Sequence, residues 1–590
     1  PQGALDKPAR VLAGFAKTGV INPGDQETVS IVIPKSTYAS YDDSGVTGHR
    51  DCFLLEKGIY HVYAGSDVRE AEPAGTYEQD LQIIEQLEEA CAPAEQFERM
   101  TRDASGSLVY KMTPERKFGP YDRIEKPEEI VYTGNKGYKL ADVYDKKISM
   151  DEFIAQLSND DLIMMFRGEG MCSPKVTPGT ASAFGGLTDS LRGFGIPAAC
   201  TTDGPSGLRM DCGTKAFSLP NGTLIGCTFD LDLTRKLYEM TGYELRKNRV
   251  DSLLGPGLNI HRSPLNGRNF EYISEDPLLT GKMGAAQIRG LSIVGSTGTI
   301  KHFATNNQEH KRREVEAVVS VRALREIYLK GFEISVKEGH ARSVMTTYGP
   351  LNGMWTAGMY DLNTIVLRKE WGFEGIVMTD WWAAANDEPM VEAQNDLYMV
   401  SADCADMQQD NVKEALENGR LTRGQLQRNA RNILGFILKS PAMLYKMNMI
   451  SQEELADAAP ADDDEIDYSN IAYYKPDENG DVIIPGGDWN TEKGQSVMLG
   501  IETLFAEYDF EIVSRSSLDD LAQLPVSIFL NGTLKMMIPL RGSNGKWKTD
   551  RLDFGEIIGK NHYIKVFFGA TGLEIDHIAL RYRKELTLPF

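Results

Sequence analysis

The chain has 590 residues, 41% of them hydrophobic and 25% charged, a balance that suits folded globular domains and leaves no compositional case for disorder. Its 85 acidic residues against 63 Lys and Arg give a net charge of −22, which repels phosphate backbones and anionic lipid and so argues against nucleic acid or a membrane surface as partner. The length exceeds what one hydrophobic core organises and predicts about three domains.

Residues 1–75 read as part of a β-sandwich. Thr28–Ile33 and Ile59–Tyr63 are β-branched and aromatic runs, separated by turn-rich stretches such as Asn22-Pro23-Gly24-Asp25. From 76 to 147 the sequence mixes a short acidic helix, Leu81 to Ala90, with irregular polar residues, as expected of a connector wrapped between domains. A different pattern starts at Ser149. There Ser149-Met150-Asp151-Glu152 has the capping-box spacing, with Phe153, Ile154 and Leu157 following at helical intervals.

From 148 to 445, short apolar strands alternate with helices. The expected strands include Ala198–Thr202, Leu253–Asn259, Thr299–Phe303, Ser343–Thr347 and Gly375–Thr379. Leu324, Ile327, Tyr328, Gly331 and Phe332 make one helical stripe of the kind that packs a crossover helix onto a parallel sheet. This alternation fits a (β/α)8 barrel, and a doubly wound open sheet would show the same local period. Residues 446–465, with the run Asp462-Asp463-Asp464-Glu465, read as a solvated linker. Residues 466–590 return to strand patterns around an Asn531-Gly532 hairpin signal, predicting a second β-sandwich. The fold class is therefore multidomain α/β, a (β/α)8 barrel flanked by a partial N-terminal β-sandwich and a C-terminal β-sandwich.

The seven cysteines (Cys52, Cys91, Cys172, Cys200, Cys212, Cys227 and Cys404) are odd in number and lack CxxC spacing, which reads as free thiols. The eight histidines are dispersed and suggest no metal site. No glycine-rich loop opens a helix to cradle phosphate, so no cofactor is expected.

Barrel enzymes place their chemistry at the C-terminal ends of the strands. Four expected strands end in polar residues. Thr379 is followed by Asp380-Trp381-Trp382, Thr202 by Asp203-Gly204-Pro205, Ile300 by Lys301-His302, and Thr347 by Tyr348. Any one of these carboxylates could be a helix cap. Together, carboxylates, indoles and a cationic Lys-His pair on one rim suit an uncharged polyol, since acids and bases grip hydroxyls and indoles stack on sugar faces.

The stretches Thr202–Arg209, Gly267–Pro277, Lys301–Glu309 and Val377–Trp381 resemble glycoside hydrolase family 3 in order and spacing, over residues 149 to 445. The resemblance implies a retaining exo-acting β-glycosidase with Asp380 as nucleophile, forming a covalent glycosyl-enzyme. It also implies that Asp203 accepts from hydroxyls at the far side of the sugar, and that Arg268, Lys301 and His302 clamp the hydroxyls between. Tyr348 would then sit beside the nucleophile, Trp381 would wall the cleavage site, and Glu271 would orient Arg268. The Asp203-Gly204-Pro205 motif resembles the β-glucosidase branch, so a β-linked oligosaccharide or glucoside is the expected substrate; a β-xylosidase or broad exo-β-glycosidase, or a non-catalytic sugar-binding subunit, is the alternative.

Residues Arg10 to Arg69 resemble the later strands of the family's fibronectin-type-III-like domain, here placed before the barrel. This resembles a rearranged domain order and implies that the α/β sandwich carrying the acid/base lies upstream. A separate N-terminal fragment is therefore the expected partner, and a homo-oligomer is possible. Within the chain, Glu169, Glu271 and Glu275 are the carboxylates weighed as substitutes. The C-terminal strands resemble a family 6-like carbohydrate-binding module, with Trp489, Trp547 and Tyr563 as candidate sugar platforms.

Overall fold

The computed structural model describes residues 3–103, 105–171, 173–381, 383, 387–401, 410–450, 471 and 473–586. Cys172, Trp382, Cys404 and most of the expected 446–465 linker lie outside the described residues. The other five cysteines are free thiols.

The barrel occupies the middle of the chain. Its strands are β1 (Arg167–Glu169), β2 (Ser182–Gly185), β3 (Ala198–Thr202), β4 (Ser252–Leu253), β5 (Thr297–Phe303), β6 (Ser343–Thr346), β7 (Ile376–Met378) and β8 (Tyr398–Ser401). They hydrogen-bond in sequence order from β7 back to β1, β1 pairs in parallel with β8, and a parallel bridge from Met378 to Leu397 brings the two ends of the sheet together. The result is a TIM-like barrel rather than an open sheet.

One strand departs from the expected eightfold repeat. β2 runs antiparallel to both β1 and β3, while the other ladders are parallel. Residues 170–181, between β1 and β2, contain no helix among those described, and a parallel return needs a crossover that this segment does not supply. The expected strand Leu253–Asn259 also shortens to Ser252–Leu253. Past Leu254 the chain leaves the ladder, meeting β5 again through a bridge from Gly257 to Lys301 and through the Asn259 side chain, which exchanges two hydrogen bonds with the His302 backbone. The capping box at the barrel's entry forms as its spacing predicts, with Ser149 Oγ accepting from Glu152 N and Glu152 Oε2 from Ser149 N.

Helices cover the barrel. The run 321–337 buries Leu324, Gly331 and Phe332, and leaves Ile327 exposed. Two apolar clusters fill the space between helices and strands, one around Phe166, Ile376 and Leu434 and the other around Ile300, Phe303 and Val377.

The N-terminal region differs from expectation in two places. No strand forms over Thr28–Ile33; this run finds no pairing partner among the described residues, and Val32 is 88% exposed. The expected acidic helix at Leu81–Ala90 is instead a strand, Gln82–Gln86, paired antiparallel with Cys52–Leu55. The β-branched pair Ile83-Ile84 adds to that edge, and the pairing overrides the acidic local preference for helix. With Ser40–Asp42 these make a three-stranded sheet, beside a hairpin of Gly58–Ala64 and Glu72–Gln79. The sheet is fixed to the barrel: Tyr41 N donates to Glu326 Oε1 at 2.6 Å, and Cys91 N to Asp361 Oδ2 at 2.9 Å. The expected connector 76–147 carries another hairpin, Glu98–Arg102 with Leu108–Met112, and then wraps the outer helices, where Ile130 exchanges two hydrogen bonds with the Gln427 side chain.

The C-terminal region, from Tyr473–Tyr474 to Glu574–Glu585, forms a five-stranded and a four-stranded sheet over one core. Gln523–Leu530 and Thr533–Arg541 turn at Asn531 and Gly532, both at positive φ, as the hairpin signal predicts.

Candidate active site

The strand ends converge. Asp203 follows β3, Lys301 and His302 lie near the end of β5, Tyr348 is two residues beyond β6, and Asp380 two beyond β7. Arg268 and Glu271 come from the long connection after β4.

At one end of the site, the Lys301 ammonium lies 3.2 Å from Asp203 Oδ1 and 3.5 Å from Glu271 Oε1. Arg268 grips Glu271 with two parallel hydrogen bonds, of 2.6 and 2.7 Å, the planar fork-to-carboxylate geometry that fixes a guanidinium in one orientation. Arg209 reaches Asp203 Oδ2 at 3.3 Å and Asp211 Oδ1 at 2.9 Å. Burial alone would push the Asp203 carboxyl up, but Lys301 and Arg209, helped by the Gly204 N–H and Arg268, outweigh it and hold Asp203 well below the usual carboxylate range. Asp203 is thus an anion at any working pH, still partly open to solvent, and able to accept hydrogen bonds from hydroxyls.

The turn that presents Asp203 depends on Gly204. Its φ is +107°, and a Cβ there would sit 2.1 Å from Gly207 O. Gly204→Ala is expected to cost about 3 kcal/mol of stability or to displace Asp203, read as a lower Tm together with weaker sugar binding in calorimetry.

At the other end, Asp380 is 8% exposed. The Trp381 N–H donates to its Oδ1 at 2.7 Å, and the buried Tyr348 lies beside the same carboxylate. Burial raises the Asp380 carboxyl above its ordinary value, against the opposing pull of Arg312, Arg268 and Lys301. His302 Nε2 lies 3.6 Å from Asp380 Oδ2. The expected cationic Lys-His pair does not form, because burial first, then the positive charges of Arg268, Lys301 and Arg312, push the imidazole far below its usual value and keep it neutral. Asn306 Nδ2 donates to the Tyr272 hydroxyl at 2.8 Å, and that hydroxyl shares a hydrogen bond of 3.1 Å with His302 Nδ1.

Trp381 is 2% exposed, with its ring in the barrel core and its indole N–H donating to Ala181 O at 3.0 Å. Of the weighed carboxylates, Glu169 is paired with Lys175 and Ser173, Glu271 is committed to Arg268, and Glu275 is exposed. The sequence reading missed Arg312, Tyr272, Asn306 and Glu309. Arg312 stacks 4.7 Å from the Tyr348 ring centre and pairs with Glu309 at 3.1 Å. The charge-dense run Glu309 to Glu314, directly after the Lys301–Glu309 stretch, is the signal that pointed there.

A parallel-rich barrel whose rim sets an ionised carboxylate among cations opposite a buried, hydrogen-bonded aspartate defines the class of barrel glycoside hydrolases. Residues 181–436 match the glycosyl hydrolase family 3 N terminal domain, and residues 1–68 match a fibronectin type III-like domain. The chain belongs to glycosyl hydrolase family 3. It is 49% identical to a β-glucosidase of Ruminococcus albus over 98% of this chain and 62% of that protein, and 36% identical to β-glucosidase A of Butyrivibrio fibrisolvens over 72% of this chain and 53% of that one. A solved β-glucosidase from Paenibacillus barengoltzii superposes with a TM-score of 0.74 at 43% identity, over 98% of this chain and 64% of that one. An exo-α-(1→6)-L-arabinopyranosidase of Bifidobacterium breve is 37% identical over 49% of this chain and 39% of its own length. The chain thus spans less than two thirds of the length of each of these relatives. The expectation of a separate N-terminal polypeptide finds no support, since the R. albus relative that matches nearly all of this chain carries its additional length in the same polypeptide.

Proposed function

We propose that this chain carries the sugar-binding and nucleophilic parts of a retaining exo-β-glucosidase. The observation that carries the reading is the setting of Asp380, whose carboxylate is buried, oriented by the Trp381 N–H, flanked by Tyr348, and placed on the same rim as the Asp203–Lys301–Glu271–Arg268 ring. Asp203, Lys301, Arg268 and neutral His302 hold the hydroxyls of a terminal glucose, with Glu271 fixing Arg268. An Asp380 oxygen then attacks the anomeric carbon as the glycosidic C–O bond breaks, giving a covalent glycosyl-enzyme that water hydrolyses.

The leaving oxygen needs a proton from a second carboxyl, at roughly 5–5.5 Å from the nucleophile in a retaining enzyme. Asp203 and Glu271 are tied to cations that hold each below the ordinary carboxylate range and unsuited to donate, and Glu309 is paired with Arg312. We assign the general acid to the part of the relatives' length that this chain does not span. A 2,4-dinitrophenyl β-D-glucoside needs no such proton and isolates the step assigned here. Turnover of that substrate, with a 2-deoxy-2-fluoroglucoside trapping a label on Asp380 in peptide mass spectrometry, is the expected result; binding of glucose with no label anywhere would instead indicate a non-catalytic sugar-binding protein. Matching xyloside and α-L-arabinopyranoside probes decide the sugar.

Attack requires ionised Asp380, so kcat/KM for the activated glucoside should fall on the acid side, at a pH above the ordinary aspartate range. Arg312 lowers the Asp380 value, so Arg312→Gln should raise it further and move the acid limb to higher pH, checked in the pH profiles of the two proteins.

A further inference from the structure

The C-terminal sandwich meets the barrel rim at two places, and each lies one residue behind the site. Towards Asp203, the buried Ser527 hydroxyl donates to Asp211 O at 3.1 Å, and the Gly179 N–H donates to Met537 Sδ at 3.1 Å. Gly179 O accepts from Asp211 N at 3.0 Å, so both contacts bear on the segment around Asp211. The Asp211 side chain in turn holds Arg209, which reaches Asp203. Gly179 has φ +84°, and a Cβ there would come within 2.9 Å of Asp211 N, so this junction is closely fitted.

Towards Asp380, the sandwich residue Asp520 takes Arg313 Nη1 with both carboxylate oxygens, at 3.1 and 3.3 Å, while Arg541 Nε donates to Asp520 O at 2.8 Å. The Arg313 guanidinium lies 6.0 Å from the centre of the Tyr348 ring, beside Arg312, and Tyr348 lies beside the nucleophile.

The aromatics that suggested a sugar platform are engaged elsewhere. Trp489 packs on Phe568 with ring centres 6.5 Å apart, Trp547 carries Arg515 over one face at 4.7 Å while staying 46% exposed, and Tyr563 meets Tyr473 edge-on at 5.9 Å.

We propose that the C-terminal sandwich is a positioning part of the active site, acting at both ends of it. Ser527 and Met537 set Asp203 through Asp211 and Arg209, and Asp520 sets Tyr348 through Arg313. The inference rests on the glycosidase reading above, and it assigns the sandwich to the same site rather than to a separate carbohydrate-binding role.

The test uses the full chain and the activated glucoside. A buried hydrogen bond and a part-exposed ion pair are each worth about 1 kcal/mol or less, so single changes should move rate constants by about fivefold or less. Ser527→Val is expected to raise KM about fivefold with kcat nearly unchanged. Asp520→Asn is expected to lower kcat about threefold with KM nearly unchanged, and Asp520→Glu to restore most of it. Asp520 is on an exposed loop, so its variants should keep the wild-type Tm, whatever Ser527→Val does to folding. Wild-type kinetics in both Ser527→Val and Asp520→Asn, or losses that only track a falling Tm, would overturn the inference and leave the glycosidase reading standing. A wild-type chain with neither turnover nor a label on Asp380 would sink the glycosidase reading, and this inference with it.

Discussion

Replacing Asp380 by glycine is expected to lower kcat for the dinitrophenyl glucoside by about 10⁵-fold, the scale seen when a covalent nucleophile is removed from an otherwise intact site. Stability should change little, since burial raises the Asp380 carboxyl and its charge is held against a desolvation cost. The vacated space lies under the Trp381 N–H and the Tyr348 hydroxyl, with Arg312, Arg268 and Lys301 near enough to favour an anion. Added azide should therefore enter it, attack from the side Asp380 occupied, and release α-glucosyl azide. Proton NMR of the product distinguishes the anomers. A β-azide, or no rescue together with wild-type turnover in the variant, would put the nucleophile elsewhere.

Asp203→Ala should be the next most damaging change, costing about 4 kcal/mol in kcat/KM, or roughly 10³-fold. Two effects add. The substrate loses a charged acceptor, and Lys301, only 4% exposed, loses its closest anion and turns towards Glu271, which loosens the hold on Arg268. A panel of deoxyglucosides locates the contact. The hydroxyl that Asp203 accepts from should be costly to remove in the wild type and nearly free in the variant, a non-additivity that identifies direct interaction. If every deoxy sugar loses as much in the variant as in the wild type, Asp203 holds no hydroxyl.

Much of the barrel could be read from the sequence because parallel strands buried on both faces appear as short apolar runs with a polar residue where each reaches the rim. β3, β5, β6 and β7 were visible for that reason, and they carry Asp203, Lys301, His302, Tyr348 and Asp380. β1 and β2 were not. Arg167-Gly168-Glu169 puts charges inside the barrel, with Arg167 bonded to Asp410 at 2.6 Å, and nothing in its composition suggests a strand. The direction of β2 follows from what its neighbours leave open, which no local pattern encodes. The strand at Gln82–Gln86 looked helical because its pairing partner lies about thirty residues earlier in the chain.

In the site, residue types and spacing revealed which side chains meet, but not their charge states. Neutral His302 results from full burial among three cations contributed by separate segments, and only the folded arrangement supplies that. Tyr272 and Asn306, which hold its Nδ1 edge, sit within motif stretches and looked like filler between charged residues.

Because β2 runs backwards, the barrel offers its incoming segment at the catalytic face, where Gly179 and Ala181 meet Met537 and the Trp381 indole, and sends its outgoing connection to the opposite face. That outgoing stretch, with the short surface helix Asp189–Gly193, is the one early junction of the barrel whose length is free of the chemistry. It is the natural place to graft a reporter or an affinity handle, or to open new termini, while the sugar-binding face keeps its shape.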